Sequence, residues 1–301
     1  MKSSDEQLPI VIACSTDERY APGLAVMVRS MLDHHPGARR IKLYVLESDL
    51  QKKTRKKLLA SWKDPRLSVT FLKPDTTKIE NLTRFNGVHQ AMYFHLMLSE
   101  LLPHHHKILK MDADMLLFAD IEELWNTDLT SHPAAAALEL RSPTVSSEWA
   151  LPNYKELEIP PQTPYFNAGL MLINLDMWRK EEIATKIIDH TKRYEKIIRY
   201  WDQDGVNAVL GGRFLILDPR WNVEAEGLML TGWVPENPMM VKEIINDAKI
   251  VHFVVSKPWN DDCKHPKTSL FLDTLKRTAF NPGLQNAPLL HRLARRILSG
   301  R

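Results

Sequence analysis

The chain has 301 residues, 44% of them hydrophobic, and a formal net charge of +3. This size and apolar content argue against a disordered chain and suit one large α/β domain with appendages or two small domains. The small net charge does not indicate a nucleic-acid-binding protein. Only Cys14 and Cys263 are present, which argues against a disulfide framework and is compatible with a reducing compartment.

The N-terminal segment lacks the long apolar core of a secretory signal. No run approaches the roughly 20 apolar residues that cross a bilayer. The sequence therefore predicts a soluble or peripheral protein of the cytoplasm.

Apolar runs alternate with segments of helical spacing along the chain. They predict strands at residues 9–14, 41–46, 67–72, 107–111, 134–140 and 169–175. Helices are predicted at residues 22–32, 49–62, 88–102 and 177–200, with a long loop at 142–164. This order predicts an α/β fold with a mainly parallel sheet flanked by helices.

Two carboxylates, Asp112 and Asp114, directly follow the predicted strand 107–111. Ligands in open α/β sheets collect at the carboxyl ends of strands. Paired carboxylates beside a core repel each other, and a bound divalent cation such as Mg²⁺ or Mn²⁺ removes that cost. The alternative is a helix cap or a surface turn, which D-x-D alone does not exclude.

Three further polar clusters adjoin apolar runs. Asn167 precedes an Ala-Gly step and a strand, where a bulge is the alternative to a ligand contact. Asp202 and Asp204 open an apolar run and are equally compatible with helix capping. His252 lies in an apolar run, where a core histidine is the alternative. Lys257 follows and could hold a phosphate as a point charge.

The order of these motifs resembles family 8 of the glycosyltransferases, which contains bacterial lipopolysaccharide galactosyl- and glucosyltransferases and glycogenin. The resemblance covers residues 9–260. It implies a GT-A type nucleotide-sugar-binding fold, a UDP-sugar donor of glucose or galactose, and a Mn²⁺ or Mg²⁺ cofactor. It also implies transfer to a glycan or glycolipid acceptor with retention of anomeric configuration.

Carried over by position, the resemblance implies that Asp112, Asp114 and His252 ligate the metal. The residues implied to catalyse transfer around the donor sugar are Asn167, Asp202, Gln203 and Asp204. Those implied to contact the nucleotide or the rest of the donor are Ala13, Cys14, Asp17, His95, Ala113, Glu139 and Lys257.

The chain departs from the family pattern in two places. His95 stands where members usually carry Arg or Lys, and residues 253–256 form a loop that is one residue shorter and lacks the usual Gly. These departures leave open a sugar-nucleotide-binding protein without turnover. A second alternative is another metal-dependent enzyme of nucleotide diphosphates, although no Gly-rich phosphate loop supports it.

The resemblance also bears on mechanism. Retention requires either a covalent intermediate or attack from the face that the phosphate leaves. Gln203 is expected near the far face of the donor sugar, and a neutral amide is a poor nucleophile. Same-face attack is therefore the expected route, with the leaving phosphate taking the proton of the acceptor.

We predict a catalytic domain at residues 1–266 and a basic amphipathic tail at residues 267–301. One helical face of the tail is apolar, with Leu289, Leu290, Leu293, Ile297 and Leu298. The other carries Arg292, Arg295 and Arg296. Such a tail predicts reversible docking on an anionic membrane surface; packing on the domain or self-association is the alternative.

Overall fold

The computed structural model describes residues 8–82, 90–224, 237–254, 256–260, 263 and 265–281. Its strands are β1 (Ile10–Thr16), β2 (Ile41–Glu47), β3 (Leu67–Leu72), β4 (Lys107–Met111), β5 (Met115–Leu117), β6 (Ala134–Ala136), β7 (Leu170–Asn174), β8 (Leu215–Ile216) and β9 (Ile250–His252). Its α-helices are α1 (Ala21–Asp33), α2 (Lys52–Ser61), α3 (Leu98–Leu101), α4 (Ile121–Trp125), α5 (Leu175–Lys180), α6 (Ile183–Arg193), α7 (Trp201–Leu210), α8 (Pro238–Asn246) and α9 (Thr268–Leu275).

Seven strands form one sheet in the order β3-β2-β1-β4-β7-β6-β8. The strands β3, β2, β1 and β4 are mutually parallel, and β8 is parallel to β6. Only β7 among the strands of this sheet runs against its neighbours, β4 and β6. The predicted mainly parallel sheet flanked by helices is confirmed.

The first strand shows why the chain reads as continuous apolar runs rather than as alternation. Ile10 and Ile12 are fully buried, and so are Leu24 and Met27 of α1. Strands of parallel sheets are covered by helices on both faces, so both sets of side chains must be apolar. The strand β1 and the helix α1 are therefore packed together in one hydrophobic core.

Three segments differ from the predicted elements. The helix expected at residues 177–200 is divided into α5 and α6, because Glu182 adopts a left-handed backbone conformation with φ 53°. The segment expected as helix at 88–102 forms a 3₁₀ helix, Gln90–Met97, followed by α3. The strand expected at 134–140 ends at Ala136, after which Leu138 makes an isolated bridge with Phe166.

A small second sheet joins distant segments behind the D-x-D motif. The strands β5 and β9 pair antiparallel, with Met115 opposite His252. The Phe253 amide donates to the Asp114 carbonyl at 2.9 Å, and the Asp112 amide donates to the Gly169 carbonyl at 2.9 Å. Backbone pairing therefore fixes the D-x-D turn against both the segment of His252 and the start of β7.

The last described helix, α9, packs on the domain. Its Phe271 is fully buried in a cluster that includes Val26 of α1. The first part of the predicted tail thus contacts the core, while residues 282–301, including its basic amphipathic part, lie outside the described residues. Within the described ranges, no helix has the length and apolarity required to cross a membrane.

Candidate metal and donor site

Asp112, Asp114 and His252 converge at the carboxyl end of β4. The His252 Nε2 atom lies 3.3 Å from Asp114 Oδ1 and 3.6 Å from Asp112 Oδ2. One ligand atom from each of the three residues lies within 4.8 Å of the others. Two carboxylates and an imidazole nitrogen form a donor set that suits Mn²⁺ or Mg²⁺.

Asn222 orients the imidazole of His252. Its Oδ1 accepts a hydrogen bond from His252 Nδ1 at 3.0 Å, and its Nδ2 donates to Asn167 Oδ1 at 3.0 Å. With Nδ1 held by Asn222, Nε2 is the ring nitrogen that faces the two carboxylates and would bind a cation, as in histidines that ligate metals. The donor set therefore fits a divalent cation. Sequence reasoning missed Asn222, and the only signal was an amide in the apolar context Trp221-Asn222-Val223.

Two lysines contact the two carboxylates. The Lys257 Nζ atom lies 2.6 Å from Asp114 Oδ2, and Lys110 Nζ lies 2.6 Å from Asp112 Oδ1. Burial acts to raise the pKa of Asp114, but Lys257 and His252 outweigh it and the pKa is lowered. Burial likewise acts to lower the pKa of Lys110, and Asp112 and Asp202 reverse it so that the pKa is raised. Both lysines therefore bring positive charge to the D-x-D turn.

A buried hydrogen-bond network lies at the start of α7. Gln203 accepts from the Ala168 amide at 3.2 Å and donates to the Tyr165 hydroxyl at 3.1 Å. That hydroxyl donates to Asp204 Oδ1 at 2.6 Å, and Asp204 Oδ2 accepts from the Arg199 amide at 2.7 Å. Asp204 is completely buried, and its two carboxylate oxygens hold the Tyr165 hydroxyl and the Arg199 amide. Within the Asn-Ala-Gly segment, the Ala168 amide donates to Gln203 and the Gly169 amide donates to Asn167 Oδ1 at 2.8 Å.

His95 and Asp202 form an adjoining pair. The His95 Nδ1 atom donates to the Met92 carbonyl at 2.9 Å and lies 3.8 Å from Asp202 Oδ2. Burial, and secondarily the charge of Lys110, lowers the pKa of His95 to about 3. Burial raises the pKa of Asp202 to about 7, with Lys110 opposing the shift. His95 is therefore neutral at pH 7.

The residues expected at the nucleotide lie at the ends of β1 and β4. Asp17 is buried, and its Oδ1 accepts from the backbone amides of Arg19 and Tyr20, each at 2.9 Å. Cys14 is paired in register with Met111, which places it beside the D-x-D turn. Burial raises the pKa of the Cys14 thiol, so it remains protonated.

The neighbouring alanines, Ala13 in β1 and Ala113 between the two acidic residues, are also buried. Gly23 faces Ala113 closely, since an added Cβ would lie 2.8 Å from its carbonyl oxygen. The D-x-D turn is therefore tightly packed against α1 at Ala113.

Glu139 lies at a second carboxyl pair. It hydrogen-bonds Glu224, and burial together with the charge of Glu139 raises the pKa of Glu224 well above its usual range. The Arg141 Nε atom lies 3.6 Å from Glu139 Oε1. Sequence reasoning missed Glu224, because nothing in its local context distinguishes it from a surface glutamate.

A second group with metal-ligating side chains consists of His35, Asp120 and Glu122. Its imidazole is already bonded on both sides, to Asp120 Oδ1 at 2.7 Å and to the Arg39 carbonyl at 2.9 Å. Glu122 forms an ion pair with Arg39 at 3.0 Å. These contacts tie the loop after α1 to the start of α4 and leave no imidazole nitrogen for a cation.

The chain is similar to several proteins along most of its length. It is 28% identical over 284 residues to general stress protein A of Bacillus subtilis, covering 92% of this chain and 96% of the relative. It is 24% identical over 276 residues to a lipopolysaccharide 1,2-glucosyltransferase of Escherichia coli, covering 89% and 78%. The galactosyltransferase LgtC, solved with donor and acceptor sugar analogues, superposes with a TM-score of 0.74 at 22% identity, covering 94% and 99%.

The superposition shows a shared fold, and the neighbours confirm the GT-A type architecture. The model of glycosyl transferase family 8 matches residues 11–263. That range includes every residue of the site described above. The chain belongs to glycosyl transferase family 8.

Proposed function

We propose that this glycosyltransferase moves a hexose, glucose or galactose, from a UDP-sugar to a glycan or glycolipid acceptor, with retention and with Mn²⁺ or Mg²⁺ as cofactor. The observation that carries the proposal is the convergence of Asp112, Asp114 and His252, with Nε2 directed at the carboxylates by Asn222. The lipopolysaccharide glucosyl- and galactosyltransferases among the relatives support a hexose and a glycolipid.

The diphosphate of the donor is proposed to bind beside Asp112, Asp114 and His252. When bound there, a divalent cation offsets negative charge on the leaving nucleotide. Lys257 adds a second cation on the same side, because its ammonium already lies against Asp114. We propose that Lys257 holds a phosphate oxygen, as preorganised charge stabilises a developing anion without reorganisation.

Gln203 orients the donor sugar rather than attacking it. Both ends of its amide are engaged, by the Ala168 amide and the Tyr165 hydroxyl, and an amide oxygen is a weak nucleophile. Asn167 and Asp202 complete the proposed sugar site, with Glu139 at its edge. Same-face attack, in which the leaving phosphate takes the proton of the acceptor, therefore fits these groups.

Further donor contacts are assigned to the ends of β1 and β4. Ala13, Cys14 and Asp17 are proposed to lie beneath the uridine, and Ala113 to contact the nucleotide through its backbone. His95 is proposed to approach the donor as a neutral group. Asp204 is proposed to act by supporting Tyr165 and thereby Gln203.

The test is UDP release from UDP-glucose and UDP-galactose in the presence of Mn²⁺, followed by NMR of the transferred sugar. We expect turnover with one of the two donors and the same anomer in product and donor. An inverted product would exclude same-face transfer. Tight binding of UDP-sugar without release, even with acceptor glycans present, would favour the non-catalytic binding protein.

We also propose that residues 282–301 attach a cytoplasmic enzyme reversibly to the inner face of the membrane, where a glycolipid acceptor is presented. The support is their sequence, which has no acidic residue and an apolar face opposite several arginines. Each basic side chain near an anionic surface contributes about 1 kcal/mol. Truncation after Phe280 should abolish sedimentation with anionic liposomes at low salt; unchanged sedimentation would refute the docking role.

A further inference from the structure

Lys110 is a buried lysine in the centre of the sheet. It lies in β4, between β1 and β7, and is 4% exposed. The flanking Leu109 and Met111 are fully buried and apolar. Burying an ammonium is costly unless it is paired and hydrogen-bonded. A core strand has no need of this charge, so its contacts indicate its role.

Those contacts tie together segments of the proposed donor site. The ammonium donates to Asp112 Oδ1 at 2.6 Å and to the Ala168 carbonyl at 2.7 Å. It also interacts electrostatically with Asp202. One cation thus connects the D-x-D turn, the Asn-Ala-Gly segment and the start of α7.

His95 does not supply such a cation. Its ring is 1% exposed, its Nδ1 atom is bonded to Met92, and in the described part of the chain its Nε2 atom has no hydrogen-bond partner. The Lys110 charge itself opposes a second cation on this ring. The positive charge between Asp112 and Asp202 therefore resides on the strand and not on the preceding 3₁₀ helix.

We propose that Lys110 is a positioning residue for the metal and the donor, an inference that rests on the proposed function. By holding Asp112 Oδ1, it leaves Oδ2 facing His252 Nε2. By binding the Ala168 carbonyl, it fixes the segment that carries Asn167. It supplies from β4 the charge compensation that the neutral His95 cannot give.

The experiment measures Mn²⁺ affinity in the presence of UDP, by electron paramagnetic resonance of free Mn²⁺, together with thermal unfolding without ligand. In Lys110→Met we expect cooperative unfolding and an affinity weakened about 10- to 100-fold, the range for partners that orient metal ligands. The matched control is Lys107→Met in the same strand. Its ammonium binds the carbonyls of Trp125 and Thr127, away from the site, so wild-type affinity is expected.

Moving the positive charge from residue 110 to residue 95 distinguishes a positioning role of Lys110 from a role in general stability. In the double variant His95→Arg/Lys110→Met the cation returns to the 3₁₀ helix, and we expect at least about a tenfold recovery of affinity over Lys110→Met. A folded Lys110→Met that binds Mn²⁺ and UDP as the wild type does would overturn the proposal. A double variant that folds without any recovery would overturn it as well.

If Lys110→Met does not fold, Lys110→Gln replaces it, since the amide still donates to Ala168 but carries no charge. Loss of affinity in a folded Lys110→Gln supports the proposal, and wild-type affinity or failure to fold makes Lys110 structural and overturns it. A wild type that does not bind Mn²⁺ with UDP would refute the proposed function and this inference together. Loss of binding in Asp112→Asn with wild-type binding in Lys110→Met would refute the inference alone.

Discussion

Replacing Asp114 with Asn is expected to weaken Mn²⁺-dependent UDP binding by at least about 100-fold and to abolish transfer. Losses of 10- to 100-fold follow removal of groups that merely orient a ligand, and Asp114 is proposed as a ligand itself. The change also leaves Lys257 without its buried carboxylate partner at 2.6 Å. We therefore expect the free energy of unfolding to fall by about 1–3 kcal/mol. Calorimetry of UDP with and without Mn²⁺ and chemical denaturation give the two quantities.

The control for Asp114→Asn is Glu122→Gln, which removes a carboxylate charge from the group of His35 and Asp120. Its ion pair with Arg39 contributes to the attachment of α4. We expect Mn²⁺-dependent UDP affinity to stay at the wild-type value in this variant. Equal Mn²⁺-dependent affinity in wild type and Asp114→Asn would remove Asp114 from the metal site.

Gly169→Ala should damage the site through a single added methyl group. A Cβ atom at this position would lie 2.2 Å from His252 Cε1 and 2.8 Å from Asn167 Oδ1. Neither side chain can easily yield, because Asn222 bonds both of them. We expect unfolding to become easier by about 1–3 kcal/mol, as in overpacked cores. We further expect Mn²⁺-dependent UDP affinity to fall at least about tenfold in the folded protein.

Gly211→Ala is the matched control for this loss. Gly211 has φ 54° and no atom within 4 Å of an added Cβ, so alanine there is strained by about 1–2 kcal/mol but touches nothing. Reduced stability with unchanged UDP affinity is the expected result. A Gly169→Ala protein that behaves in the same way would show that the imidazole can move without cost to the site.

The sheet could be predicted from the sequence because its strands are buried on both faces. Mostly apolar runs such as residues 9–14 and 41–46 predict the strands, and their alternation with helices predicts that the strands are parallel. The break between α5 and α6 could not be predicted from the sequence. The left-handed backbone conformation of Glu182 interrupts the helix but leaves the helical spacing of the apolar residues nearly intact.

The D-x-D motif was recognisable from its position after a buried strand, and His252 required the family resemblance. Asn222 and Glu224 escaped prediction because their partners are remote in the chain, and Lys110 escaped it because the strand buries its side chain against Ala168, 58 residues away. Asn222, for example, bonds Asn167 and His252, which are 55 and 30 residues away. Such contacts depend on how segments meet in space, and no local pattern of residue types encodes them.

Asp112, Asp114 and His252 are proposed to form the metal site of this enzyme. Anomalous diffraction at the manganese edge, from crystals grown with Mn²⁺ and UDP, tests it most directly. We expect one strong peak within about 2.0–2.3 Å of an oxygen of each carboxylate and of His252 Nε2. A peak at any other group of side chains, or bound UDP without a peak at these three residues, would contradict it.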